Sequence, residues 1–240
     1  MENLKAKAKW IRQQVFEMIV RAKRGHIGGS FSCVEIMVAL YYGLENDNDI
    51  VLSKGHAAPV LYAILADKGL IPMEELQTFC QLGSRLEGEP SNSLPGVLMT
   101  SGSLGNGLSV GAGLALAHRI DGSNKKVYVV MSEGEFDEGS TFEAMDFASK
   151  YRLHNLIALV DCNCMTVTEE RPFHYNTLYH KFACMGWLGT INHYGNDVYQ
   201  CVKLIDNIPP DLDLPNFLIN ATTKGKGVSF MENKLKWHGG

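Results

Sequence analysis

Two stretches decide the fold: Lys126-Val-Tyr-Val-Val-Met131-Ser132-Glu133-Gly134-Glu135 and Leu156-Ile-Ala-Leu-Val-Asp161-Cys162-Asn163. Each is a short apolar run that ends abruptly in polar residues. Such runs mark strands buried on both faces of a sheet. Residues 141–151 between them follow a helical pattern, so the order is strand, helix, strand. The pattern continues with a helix over 175–185, a strand over 188–192, a helix over 197–206 and a strand over 216–221. Strands alternating with helices predict an α/β fold, a doubly wound, mostly parallel sheet flanked by helices. No linker or repeat interrupts it, so residues 1–240 are expected to form a single domain.

Upstream of these stretches, Leu4, Ile11, Val15, Met18, Ile19 and Ala22 recur at helical spacing and predict a helix over 3–23. Gly25-His26-Ile27-Gly28-Gly29 is expected to break it. A second helix should begin near Ser32, with Glu35 as its capping-box partner. A short strand over 50–52, helices over 57–69 and 72–80, and an irregular Gly/Pro/Ser/Asn-rich stretch over 83–103 follow. Irregular segments of that length are often functional. Gly105-x-Gly107 then opens an Ala/Gly-rich helix to about Ile120.

The chain has 240 residues, 45% hydrophobic and 20% charged, with 22 basic and 26 acidic side chains for a net charge of −4. This is ordinary globular composition, and it argues against a general nucleic-acid binder, which carries a basic stripe. Arg21 and Arg24 sit where they complement a helix C-terminus. The N-terminal segment is amphipathic and charged, unlike a signal peptide, and no run approaches the roughly 18 apolar residues of a membrane span. A cytoplasmic location away from membranes is the expectation. Cys33, Cys80, Cys162, Cys164, Cys184 and Cys201 include no Cys-x-x-Cys pair and no nearby Cys/His set at zinc spacing, so reduced, mostly buried thiols are expected.

In open α/β sheets ligands sit beyond the carboxyl ends of the strands. Adjacent parallel strands would there bring Glu133 and Asn163 side by side. A carboxylate, an amide oxygen and a backbone carbonyl make a hard-oxygen set suited to Mg²⁺ or Ca²⁺. Gly134 allows close backbone approach to a ligand, and the next helix N-terminus favours a phosphate.

The segment from Val127 to Asn163 resembles the thiamine-diphosphate motif of the transketolase family, Gly-Asp-Gly followed about 30 residues later by Asn. Glu135, Glu138-Gly139, Glu143-Ala144 and Asn155–Asp161 fit its flanks. So do Gly25-His26-Ile27-Gly28-Gly29-Ser30, Leu52-Ser-Lys-Gly-His56-Ala-Ala-Pro59, Ser101-Gly102-Ser103-Leu104-Gly105-Asn106-Gly107, and the tail from Lys224 to Lys236-Trp-His238-Gly. These segments stand in family order over nearly the whole chain. Two departures stand out. Ser132-Glu133-Gly134 replaces Gly-Asp-Gly, and Glu89 in Gly88-Glu89-Pro90 replaces a histidine.

The resemblance implies thiamine diphosphate with Mg²⁺ (or Ca²⁺). Glu133, Asn163 and the Met165 carbonyl would hold the metal. Gly102, Ser103, Leu104, Gly134, Glu135, His56 and His238 would contact the cofactor. His26, beside its reactive carbon, would act with His56 and His238 on the substrate. Glu138 and Glu143 match acids that lie between the paired active sites of the family. No role is carried onto Glu89, where a carboxylate accepts and an imidazole can donate. Ketol transfer would pass two carbons from a ketose or ketose phosphate to an aldehyde or keto-sugar. The glutamate that activates the cofactor in this superfamily lies on a separate pyrimidine-binding domain, and this sequence ends just after His238-Gly. A second chain carrying that domain, in a heterotetramer of two such pairs, is the expectation. Two rival readings stand beside it. One is a related thiamine-diphosphate enzyme with another acceptor, the other a degenerate, non-catalytic or regulatory subunit.

Overall fold

The apolar runs at the centre of the sequence have side chains buried on both sides, and β-strand alternation divides them between two cores. In the computed structural model, which describes residues 3–44, 47–172, 174–209 and 213–239, they are the middle of one five-stranded sheet. Its strands are β1 (Asp49–Leu52), β2 (Val127–Ser132), β3 (Leu156–Cys162), β4 (Leu188–Asn192) and β5 (Asn216–Ala221), in the order β1-β2-β3-β5-β4. Every neighbouring pair is parallel. The sheet is thus wholly parallel among the described residues.

Helices cover both faces. α1 (Leu4–Ala22), α2 (Ile27–Ser32), α3 (Val34–Val38), α4 (Ala58–Asp67) and α8 (Val198–Asp206) pack on the face that carries Tyr128, Val130, Ile157, Leu159 and Leu218. α5 (Asn106–Ile120), α6 (Gly139–Lys150) and α7 (His174–Cys184) pack on the face of Val129, Met131, Ala158, Val160 and Phe217. α5 approaches the sheet through glycines. A Cβ on Gly107 would run into Ser53, and one on Gly111 into Val129.

Two local expectations change. A short additional helix, α2, runs over Ile27–Ser32 with Gly28 and Gly29 inside it, and the helix expected near Ser32 is α3, starting at Val34. Gly28 is needed there because a Cβ would meet the Trp237 carbonyl and the Lys224 side chain. Glu35 caps nothing; its carboxylate takes two 2.6 Å bonds from the Arg12 guanidinium. The helix expected over 72–80 is a 3-10 turn, Met73–Thr78. The irregular stretch remains irregular, with no helix or strand between Thr78 and Asn106. Of the short polar link from Leu44 to Ile50, Glu45 and Asn46 lie outside the described residues.

Candidate functional site

The carboxyl ends of the strands converge on a cleft of about 230 Å³. β1 delivers His56 and β2 delivers Glu133 and Gly134. β3 delivers Asn163 and Met165, and β5 delivers Lys224; His26, Gly102, Leu104, Glu89 and His238 come from loops around the rim. A larger groove of about 940 Å³ lies between α1 and α8 and holds none of the residues predicted for the site.

His26, His56 and His238 form a triangle with ring centroids 5.5, 5.6 and 6.4 Å apart. Burial lowers all three, and the Lys224 and Lys54 ammonium groups lower them further. His238 falls to about 4 and His56 well below its ordinary value. These two imidazoles are neutral at pH 7 and able both to donate and to accept. Lys224 Nζ lies 2.6 Å from His238 Nδ1 and donates to the Met165 carbonyl at 3.2 Å. Burial first, then the neighbouring Lys54 charge, lowers Lys224 to about 8.

Glu133, Asn163 and Met165 come together as expected. The Glu133 carboxylate accepts from Met165 N at 2.6 Å, Cys164 N at 2.9 Å and Cys162 Sγ at 2.8 Å. Asn163 Oδ1 is buried without a hydrogen-bond partner. Gly134 turns open backbone to the cleft, since a Cβ there would touch nothing within 4 Å. An orphaned amide oxygen beside a carboxylate and a carbonyl fits a divalent cation, and open backbone next to it fits a close-lying anion. The Met165 carbonyl is shared with Lys224 in this arrangement.

Below the cleft lies an ionic knot to which the sequence reading gave no role. Lys54 Nζ bonds Asp161 and donates to the Gly29 carbonyl at 2.8 Å, and Asp161 also accepts from Ser32 Oγ at 2.6 Å and from Thr222 Oγ1. Burial pulls the Lys54 ammonium down, but the Asp161 carboxylate outweighs it and holds the group above its ordinary value. Nothing in the polar stretch Ser53-Lys54-Gly55-His56 marks this lysine as buried, and its full burial is possible only because it is paired.

Glu135 is the clearest displacement from expectation. It is fully buried and does not line the cleft. Its oxygens accept from Ser53 Oγ, Gly105 N at 3.2 Å and Ser132 N at 2.9 Å, tying three loops together. Ser103 is exposed at the rim while its neighbours Gly102 and Leu104 line the cleft. Glu138 and Glu143 are both exposed, at the start of α6.

The model of the transketolase thiamine diphosphate binding domain matches residues 4–240. The chain belongs to the transketolase family. It is 36% identical to one of the subunits of apulose-4-phosphate transketolase from Phocaeicola vulgatus, over all of this chain and 89% of that protein. It is 37% identical to a 6-deoxy-6-sulfo-D-fructose transketolase subunit of Clostridium sp. (strain MSTE9) over 98% of this chain and 90% of that one. Among solved structures, Campylobacter jejuni transketolase matches with a TM-score of 0.92 at 27% identity, covering 100% of this chain and 41% of the other. The chain therefore spans about two-fifths of that transketolase but nearly the full length of the two subunits.

Set against the transketolase pattern, Glu89 has its own geometry. Its Oε2 is buried without a partner and sits where a Cβ on Gly55 would run into it, so Gly55 makes the room. Burial pushes the Glu89 carboxyl up to about 7, and the Glu135 carboxylate adds to the effect. At neutral pH much of it is a carboxylic acid, which can donate as an imidazole does. The expectation that Glu89 can only accept is thereby revised.

Among the described residues no helix is long and apolar enough to cross a membrane. The cysteines are unpaired, with Cys33, Cys162 and Cys201 buried and Cys184 exposed. The sequence reading found no metal-like cysteine set, yet Cys162, Cys164 and Glu133 meet behind the cleft. Cys162 and Cys164 share a hydrogen bond that pushes the Cys162 thiol up and pulls Cys164 down.

Proposed function

We propose that this chain is the diphosphate-binding subunit of a two-component transketolase. With a second chain that carries the pyrimidine-binding domain, it passes a two-carbon ketol unit from a ketose or ketose phosphate to an aldehyde or keto-sugar. The observation that carries this is the cleft at the strand ends, where the orphaned Asn163 oxygen, the Glu133 carboxylate and open Gly134 backbone face the histidine triangle. Glu133, Asn163 and the Met165 carbonyl would hold the divalent cation, and Gly134, Gly102 and Leu104 would lie against the cofactor. Bound thiamine diphosphate supplies the nucleophilic carbon that adds to the ketose carbonyl.

The protein's own part is positioning and proton transfer. His56 and His238, kept neutral by burial, can hold a substrate hydroxyl and relay its proton. The Lys224 ammonium donates to His238 Nδ1 and so helps to fix the position of that ring at the cleft. His26, just before α2, brings its ring to the same space, 5.5 Å from that of His56 and 5.6 Å from that of His238.

The second chain is supported by the names of the relatives just given, which are subunits, and by size. A cleft of about 230 Å³ is smaller than the roughly 300–1,000 Å³ that encloses a small-molecule ligand. The missing wall would come from the partner, and the exposed Glu138 and Glu143 would face that junction. Calorimetric titration of thiamine diphosphate with Mg²⁺ into the co-expressed pair tests the reading. Saturable binding with ketol transfer from a ketose donor is expected. Absence of binding in the presence of the partner would favour a degenerate, non-catalytic role instead.

A further inference from the structure

At the end of β3, alternation turns Cys162 away from the cleft that Asn163 lines, and a left-handed backbone at Cys164 (φ 58°) brings its sulfur beside that of Cys162. There Cys162 Sγ lies 2.8 Å from Glu133 Oε2. The two sulfurs and a Glu133 oxygen all fall within 4.8 Å of one another. Backbone N–H groups of His174 and Tyr175, at the start of α7, point at the Cys164 sulfur. The His174 ring follows them in. Its Nδ1 is 3.9 Å from Glu133 Oε2, buried, and without a hydrogen-bond partner.

We propose that Cys162, Cys164 and Glu133, which already lie together, hold a zinc ion directly behind the cleft, with the adjacent His174 ring moving in as the fourth donor. Two thiolates, a carboxylate and an imidazole are the donors of tetrahedral zinc, whereas Mg²⁺ takes oxygen. A cluster held by hydrogen bonds alone leaves the buried His174 nitrogen unsatisfied, and a metal satisfies it. The two oxygens of Glu133 separate the sites. Oε2 belongs to the sulfur side through Cys162 Sγ and Cys164 N, while Oε1, among the described residues, is engaged by Met165 N alone and keeps a lone pair for the cleft.

Binding exchanges protons for metal: each thiol loses its proton as its sulfur bonds zinc, with no redox change. Two thiolates, one carboxylate and Zn²⁺ leave a single negative charge, within the electrostatic reach of the Lys224 ammonium, which already interacts with Glu133. The ion would join the loop after β2, the end of β3 and the start of α7. It would fix Asn163 and Met165 from behind without touching the substrate. The site uses no thiamine diphosphate, so it stands or falls apart from the proposed activity.

The full-length chain, expressed with zinc in the medium and desalted under reducing conditions without chelator, should retain roughly one zinc per chain by plasma mass spectrometry. Cobalt substituted for zinc should show tetrahedral ligand-field bands and a sulfur-to-cobalt charge-transfer band, with no cofactor present. Cys164→Ser should lose most of the charge-transfer intensity and weaken zinc binding by at least about tenfold. His174→Asn, at the less buried helix start, should keep the sulfur band and still bind more weakly, which serves if the Cys164 variant does not fold. Protein that stays zinc-free and gives no thiolate band on cobalt titration overturns the proposal. Zinc retained undiminished in both variants overturns it equally, because the metal would then sit elsewhere.

Discussion

Glu89 separates this cleft from the family pattern at the level of one side chain. Its carboxyl, pushed up from 4.5 to about 7, holds an extra proton in the folded state between those pH values. Folded protein that binds more protons than unfolded protein loses stability as pH rises, so this group's effect falls across pH 4.5 to 7. Glu89→Gln removes it. Urea midpoints at pH 5 and pH 8 should show the variant gaining on the parent at the higher pH; parallel profiles would refute the buried acid. Turnover of the complete enzyme should also decline through neutrality as the acid ionises, and the variant should be flatter. His26→Ala should lower kcat by about a hundredfold or more, the usual weight of a positioned acid–base group. A change in KM alone would remove His26 from the chemistry. Such residues were legible because each stands in a local motif, and Glu133 and Asn163 were legible because adjacent parallel strands align their ends. Glu135, Lys54 and the cysteine cluster were not. Their partners come from other, distant segments of the chain, strand ends and helix starts alike, and the spacing of one segment carries no trace of that.

The elements that hold the site depend on the knot beneath it. Lys54 and Asp161 have 1% and 0% side-chain exposure, and four segments meet there: β1, the α2 turn, β3 and the chain after β5. Removing one charge strands the other in the interior, at a cost of about 3–5 kcal/mol. Asp161→Asn should therefore lower thermal stability strongly, and Lys54→Met by a comparable amount. Changing both together should cost less than the sum; strict additivity in a double-mutant cycle would mean the two are not coupled. Gly107→Ala probes a different contact. The added methyl meets Ser53, and an overpacked helix–strand contact costs about 1–3 kcal/mol. Strand positions were readable to within a residue or so, because buried parallel strands are continuous apolar runs. The short helix α2 was missed because Gly28 and Gly29 look like a break. Gly28 instead allows a close approach to Trp237 and Lys224, which lie about 200 residues away in sequence, and Gly29 faces the His56 ring.

At the scale of the molecule, the cleft is a surface as much as a pocket. Gly102 and Ser103 are exposed on one rim and Val167 on another. A cofactor held only by this wall leaves much of its surface in water and should bind weakly. If the second chain closes the cleft, it raises cofactor affinity, and the linkage runs both ways. Whatever factor the partner adds to thiamine diphosphate binding, thiamine diphosphate must add to the association of the two chains. The first factor is measured by titrating cofactor with Mg²⁺ into the chain alone and into the saturated pair. The second is measured by titrating one chain into the other with and without cofactor. Equal factors of about tenfold or more are expected, within the usual range of coupling energies. A cofactor affinity indifferent to the partner would mean that this wall suffices, and the two-chain cleft would have to be abandoned even if the chains associate.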